Sequence, residues 1–446
     1  MSAGTSDWAA SEPAPSQRDS QKIRRRVRLP VVSAGAGDHP AIFHFLTALF
    51  QEPSRAEFKA AIEDPFYEPR DRLLVYRGRR LAAHAHLTHR TMQFARLQLP
   101  VAGLQWLGVL PAACGQGIGR HLLLAAEKRM AADGAAIGLI RTRIPHFFRR
   151  TGWAMCGRHN YSRAAPRPLL ARLLDRGLHQ RRPRNLHVRP WRRWELQAVL
   201  RIYHRNLASA CGALERSEAY WQWLIRRQAY DQFYVALEGP DLLDLEETST
   251  RVVGYAAIHG ERIVELQTAG GHPRAAGELL ARVCGDAIEH DRHCVLLQAP
   301  PSDPLHELFL EAGGIHYHHE ADRGEVYMAR LLDPLGLLRR LSDEFLRRAD
   351  AAGLPRPLDL GLLVEGQKYR IEIGREGVTV TGQRIGRSYL SLNVADFTRL
   401  LLGDLDWDRA KAEGRLEVST QLAEEAGRAL FPRLPLWYPP FDHLRA

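Results

Sequence analysis

The chain has 446 residues, 45% apolar and 25% charged, and its 62 Lys and Arg outnumber 51 Asp and Glu for a formal charge of +11. That length implies two to four domains, each with its own core, and the five scattered cysteines, with no C-x-x-C pair, argue against both a disulfide framework and a zinc site. The charge is carried mainly by arginine with acids interspersed, and no helix-turn-helix, RNP or zinc-finger pattern accompanies it, so nucleic acid is set aside as a partner.

Residues 1–27, rich in Ser, Ala and Pro and closing on Arg24-Arg25-Arg26, read as a disordered tail. They hold no export-type apolar stretch and the chain no bilayer-length run, which sets the expectation of a cytoplasmic protein with no membrane partner. A strand near Val31 and Val32 precedes a helix with apolar spacing at Ile42, Phe45, Leu46 and Leu49, and a second helix spans Arg55 to Glu63. The segments RLLVYRG and RLAAHAHLTHR read as a hairpin turning at Gly78. An apolar strand ending at Val109 runs through Pro111 into a helix that Gly134 terminates. The strand AIGLIRTRI, the short helix PHFFRRTG and a closing strand WAMCGRHNYSRA complete a first domain at 28–165.

Prolines and arginines across 166–188 suit a linker. The order of elements then recurs over 189–333, with Gly270-Gly271-His272-Pro273 at the second strand-to-helix turn. Proline removes a donor there, so this duplicate is expected not to bind a phosphate. From 334 to 446 the pattern changes to helix, hairpin, strand, helix and helix.

The turn after Val109 carries the chemistry. Gly115, Gly117 and Gly119 let backbone approach a ligand closely, and the N–H groups opening the next helix have no intrahelical acceptors. Such an end suits a pyrophosphate.

In its full setting, Val109-Leu110-Pro111-Ala112-Ala113-Cys114-Gly115-Gln116-Gly117-Ile118-Gly119 resembles motif A of the GNAT acyltransferases. The phrase LPVAGLQWLGVLP is similar to that of the Eis-like (enhanced intracellular survival) members. That resemblance implies an α+β fold of mixed sheets: tandem GNAT folds, the second degenerate, then a sterol carrier protein-like α/β domain. It implies acetyl-CoA as cosubstrate and no metal. The pyrophosphate would rest on Cys114, Gly115, Gln116, Gly117, Gly119 and Arg120, and the pantetheine arm on the strand edge at Leu107 and Val109. The acceptor would be a primary amine of a small molecule, peptide or protein lysine, acylated in a ternary complex, and homo-oligomeric assembly is compatible with it.

Two positions depart from the family. Cys114 replaces its Arg or Gln, and Phe148 falls where a tyrosine usually protonates the leaving thiolate. The resemblance implies the Val109 N–H as carbonyl polariser and the C-terminal carboxylate of Ala446 as base, with Asp442 as a second candidate; the thiolate leaves unassisted or is protonated by water, or Tyr161 or His146 substitutes as the acid. His84 and His86, sharing one strand face, and His89 on the other, are further candidate bases. The competing reading is a catalytically impaired acyl-CoA or lipid-binding scaffold.

Overall fold

The structure is a computed structural model in which residues 29–180, 185–239, 251–375 and 377–443 are described. The expected tail at 1–27, part of the expected linker and Ala446 lie outside those residues. The first run of elements is β1 (Val31–Ser33), α1 (His39–Phe50), α2 (Arg55–Ile62), β2 (Arg72–Arg77), β3 (Arg80–Phe94), β4 (Leu97–Val109), α3 (Ile118–Ala132), β5 (Ile137–Thr142), α4 (Pro145–Arg149) and β6 (Ala154–Met155). That run ends on β7 (His159–Ala164), and the second is α5 (Pro166–Asp175), β8 (Leu186–Pro190), α6 (Leu196–Leu207), α7 (Glu218–Arg226), β9 (Gln232–Glu238), β10 (Arg251–His259), β11 (Arg262–Thr268), α8 (Pro273–Glu289), β12 (Val295–Gln298), α9 (Leu305–Glu311), β13 (Ile315–His319), β14 (Ala321–Asp322) and β15 (Glu325–Leu331). The third is α10 (Pro334–Arg340), α11 (Ser342–Ala351), β16 (Leu358–Val364), β17 (Gln367–Ile373), β18 (Val378–Gly382), β19 (Tyr389–Leu392), α12 (Val394–Leu401), α13 (Trp407–Ala412), β20 (Leu416–Val418) and α14 (Gln421–Leu430).

Local chemistry explains several of these boundaries. At the start of α2, the Ser54 hydroxyl accepts from Glu57 N at 3.1 Å while the Glu57 carboxylate accepts from Ser54 N at 2.6 Å, a reciprocal cap. Helix α3 buries Leu122, Leu123, Ala126 and Met130, the stripe its spacing predicts. The 166–188 segment is more than a connection, because α5 buries Leu169 and Leu173 in the core shared with α8.

Among the described residues three mixed sheets result. The first runs β1-β2-β3-β4-β5-β15-β14, with β6 also on β15; the second runs β13-β7-β12-β11-β10-β9-β8. The strand expected to close the first sheet is therefore corrected. Only β6 stays there, while β7 pairs antiparallel with β12 and β13 in the second sheet, and β15 returns from the second run to pair with β5. The two sheets exchange a strand reciprocally.

The exchange has a visible local cause. Gly157, at φ 88°, turns the chain between β6 and β7, and a Cβ there would lie 2.5 Å from the Tyr438 ring. Beyond it, the buried polar residues of β7 find partners only in the second unit. Asn160 Nδ2 donates to His306 Nε2 and to the Ala299 carbonyl, each at 2.8 Å, and Ser162 Oγ lies 2.8 Å from His306 Nδ1. Left unpaired, such groups would cost about 1–3 kcal/mol each.

The third sheet, β18-β17-β16-β19-β20, packs its helices into a core continuous with Met92, Phe94, Leu99 and Val101 of the first sheet. From there the chain end crosses to the second unit. Trp437 N donates to the Cys211 carbonyl at 2.8 Å, Phe441 is fully buried among aromatics, and Asp442 meets Arg216. Arg216, 0% exposed, donates twice to Asp442 (2.9 and 2.8 Å) and twice to Glu265 (2.8 and 2.7 Å).

Two outcomes follow. A fragment of residues 28–165 lacks β15 and strands the polar face of β7, so it is expected to show no cooperative thermal transition under conditions where the whole chain does; circular dichroism of both checks this. Arg216→Met leaves two buried carboxylates without their cation and is expected to cost about 3–5 kcal/mol in urea unfolding, whereas a loss below 1 kcal/mol would show that the network is not fully desolvated.

Candidate functional site

Strand β4 runs parallel to β5 through only three residue pairs, Val101 with Ile137, Ala102 with Gly138 and Gly103 with Leu139. Beyond Gly103 the strands part, β5 staying with β15 through Thr142 while Leu104–Val109 continue along β3. A wedge opens between them, and α3 starts at its wide end.

The parting is fixed by a bulge. The register of β3 on β4 shifts between His84, opposite Gly108, and His86, opposite Gln105, and Trp106 takes φ 52°. His84 braces it: Nδ1 lies 3.0 Å from the Trp106 carbonyl and Nε2 lies 3.3 Å from Arg72 Nη1. With a carbonyl on one side and a guanidinium on the other, the ring carries its proton on Nδ1. Helix α1 presses on the same place, since a Cβ on Gly108 would fall 2.4 Å from Leu49 and 2.8 Å from Phe50.

At the wide end Gly115 and Gly117 adopt φ 75° and 83°, the left-handed region that favours glycine. Gly117 is the N-cap of α3 and supplies no side-chain acceptor, so the first-turn donors face outward without a side-chain cap. Arg120 is exposed one turn in, and Gln116 Nε2 donates back to the Ala112 carbonyl at 3.3 Å. The family's side chain at position 114 is absent here, and Cys114 instead places Sγ 3.6 Å from the Val109 carbonyl. The residues present fit a CoA pyrophosphate on the backbone donors and a pantetheine arm on the half-buried Leu107–Val109 edge.

The second unit repeats the wedge without the cradle. β11 pairs with β12 only at Arg262 and Ile263, and a cavity of about 620 Å³ lies beside Val264–Thr268, lined also by Gln298, Pro273 and Trp437. Here, however, His272 Nδ1 accepts from Ala275 N at 3.2 Å, so a side chain already occupies the helix end.

The predicted catalytic residues are dispersed. Phe148 turns into the core, 2% exposed, against Trp153. The ring at the wedge is Phe147, since a Cβ on Gly119 would lie 3.3 Å from Val109 Cγ2 and 3.7 Å from Phe147. The expectation that Tyr161 substitutes from nearby is not met, because β7 carries it into the second sheet, where it stacks on Tyr317 at 4.9 Å. His146 is exposed on α4. Asp442 is committed to Arg216 and does not act as a base, and Ala446 lies outside the described residues. His89 faces Asp71 at 3.6 Å and Asp133 at 3.7 Å, away from the bulge.

His84 and His86 are both buried. Burial, then the neighbouring Arg72 charge, pushes His84 down to about 3, and the same causes, joined by His84, Arg90 and His89, hold His86 well below its ordinary value. Both are therefore neutral in the fold and protonated in the unfolded chain below about pH 6.5. Their contribution to stability is complete above that pH and is lost as pH falls towards the folded values. Each is expected to add about 1.4 kcal/mol of destabilisation per pH unit below 6.5. Urea unfolding at pH 7 and pH 5 checks this, and His84→Gln should flatten the slope by one proton.

Comparison with known proteins follows this geometry. The profile described as acetyltransferase (GNAT) domain matches residues 31–156. No curated protein matches the chain. Among solved structures, a GCN5-related N-acetyltransferase from Anabaena variabilis is similar at TM-score 0.70 and 16% identity, covering 92% of this chain and 99% of that one. A GCN5-related N-acetyltransferase from Kribbella flavida gives 0.66 and 18%, covering 92% and 98%. Eis1 from Mycobacterium abscessus gives 0.63 and 16%, covering 91% and 98%. At those identities the likeness is one of fold, and the GNAT acetyltransferase profile covers the stretch from β1 to β6.

Proposed function

We propose that the chain transfers an acyl group from acyl-CoA to a primary amine, both bound together at the wedge between β4 and β5. The observation that carries this reading is the parting of those strands in front of an uncapped α3 N-terminus. Backbone donors of Gly115–Arg120 would hold the pyrophosphate, and the edge at Leu107 and Val109 the pantetheine arm. Bound there, the thioester would supply the electrophilic carbonyl, and the backbone N–H of Val109 would polarise it.

Helix α4 contains no hydroxyl, and Thr151 just beyond it donates its own to the Phe148 carbonyl at 2.8 Å. The protein leaves protonation of the departing sulfur to solvent, which a thiol pKa near about 8.5 permits. Asp442 anchors the end of the chain, and burial, followed by the Arg141 charge of β5, pushes the next residue, His443, down to about 4. We assign the third unit, expected to be sterol carrier-like, a packing role, since its core is continuous with that sheet.

Calorimetry with acetyl-CoA is expected to show one site per chain, weakened at least tenfold in Gly117→Val, because a β-branched residue at φ 83° distorts the cradle. Thiol release with a panel of primary amines should exceed background hydrolysis. Binding without amine-dependent release would favour the impaired scaffold, and no binding would remove both readings.

A further inference from the structure

Three other enclosed arginines take carboxylates: Arg216 holds Glu265 and Asp442, Arg348 holds Glu344, and Arg90 holds Asp64. Arg72, the first residue of β2 and 1% exposed, is different. Among the described residues no carboxylate pairs with it. Its neighbour in sequence, Asp71, turns away, accepting from Glu68 N at 2.9 Å and facing His89. The guanidinium is held instead by uncharged groups, with Nε donating to the Tyr67 hydroxyl at 3.1 Å and Nη1 donating to His84 Nε2 at 3.3 Å. The rings of Phe58 and Tyr67 lie 4.9 and 5.3 Å from its Cζ.

A buried cation without a counter-ion costs several kcal/mol, and two further features surround this one. His86, directly opposite Arg72 in the β2–β3 register, has a buried Nδ1 with no hydrogen-bond partner. Tyr67 stands edge-on to that ring at 5.6 Å and shares its hydroxyl with His39 Nε2 at 2.8 Å. Tyr67 and His39, at the edge of the group, are only half-buried. The group lies on the face of the first sheet covered by α1 and α2, with His86 opposite Gln105 beside the bulge.

We propose that Arg72, with Tyr67, His39 and His86 around it, is an anion pocket on the acceptor side of the wedge and recognises a carboxylate carried by the amine substrate. The planar guanidinium fork matches a carboxylate, and the free Nδ1 of His86 can donate to its second oxygen. Two strand spacings separate β2 from β4, about 10 Å. Val109 lies four residues further along β4 than Gln105, about 13 Å, so the acceptor is an amine whose carboxylate lies within about 16 Å of it. This inference rests on the acyltransferase reading, which supplies the amine.

The test uses the full chain and a matched pair, 6-aminohexanoate and 6-aminohexanamide, titrated by calorimetry in the presence of CoA. The acid is expected to bind at least tenfold more tightly than the amide. Arg72→Gln should erase that difference, and Arg72→Lys, which keeps the charge, should restore part of it; thermal melting confirms that each variant folds. Equal binding of acid and amide, or no detectable binding of the acid at millimolar concentration, overturns the proposal. CoA binding measured alone separates the two failures. If CoA binds while the acid shows no preference, only the carboxylate pocket falls, and if CoA does not bind, the acyltransferase reading falls with it.

Discussion

Parallel strands that separate after three residue pairs need something to keep them apart, because each parted residue leaves backbone groups that a neighbouring strand would otherwise satisfy. Here the restraint acts from both sides. Strand β5 is held by β15, and β4 is held by β3 through a bulge at Trp106 that His84 braces with its Nδ1. Helix α1 locks the bulge by packing Leu49 and Phe50 where Gly108 has no side chain. The wedge, the direction of the chain into the glycine turn and the open end of α3 all follow from that separation.

Because β15 comes from the second run of elements, the first wedge is built with borrowed material. The return loan of β7, clamped through Asn160, Ser162 and His306, makes each sheet incomplete without the other. The two units nevertheless differ where chemistry would occur. Both part their parallel strands, but α3 begins with a left-handed glycine and α8 with a proline behind a histidine that caps its own helix. The two units share the parted strands, but of these two helices only α3 starts without a side-chain cap. The tail that crosses back to Arg216 then ties all three units into one structure.

Local features were legible in the sequence, and features that depend on partners distant in the chain were not. The glycine turn, the stripe of α3 and the hairpin of β2 and β3 depend on neighbours a few residues away, and they stand where their spacing places them. The destination of β7 depends on whether Asn160 and Ser162 meet His306, a residue in another unit, and the alternation of a strand looks the same in either sheet. Phe147 and Phe148 are adjacent on a one-turn helix, so only packing against Gly119 and Trp153 decides which faces the wedge. The isolation of Arg72 was equally hidden, since Asp71 precedes it and turns away only in three dimensions.

The central claim is that the open end of α3, and not that of α8, receives the phosphates of CoA. Hydrogen exchange of the full chain with and without acetyl-CoA addresses it most directly. Slowed exchange confined to Leu104–Val109 and Gly115–Arg120, with Thr268–Ala276 unchanged, is the expected result. Unchanged exchange at Gly115–Arg120, or protection appearing instead at Thr268–Ala276, would contradict it.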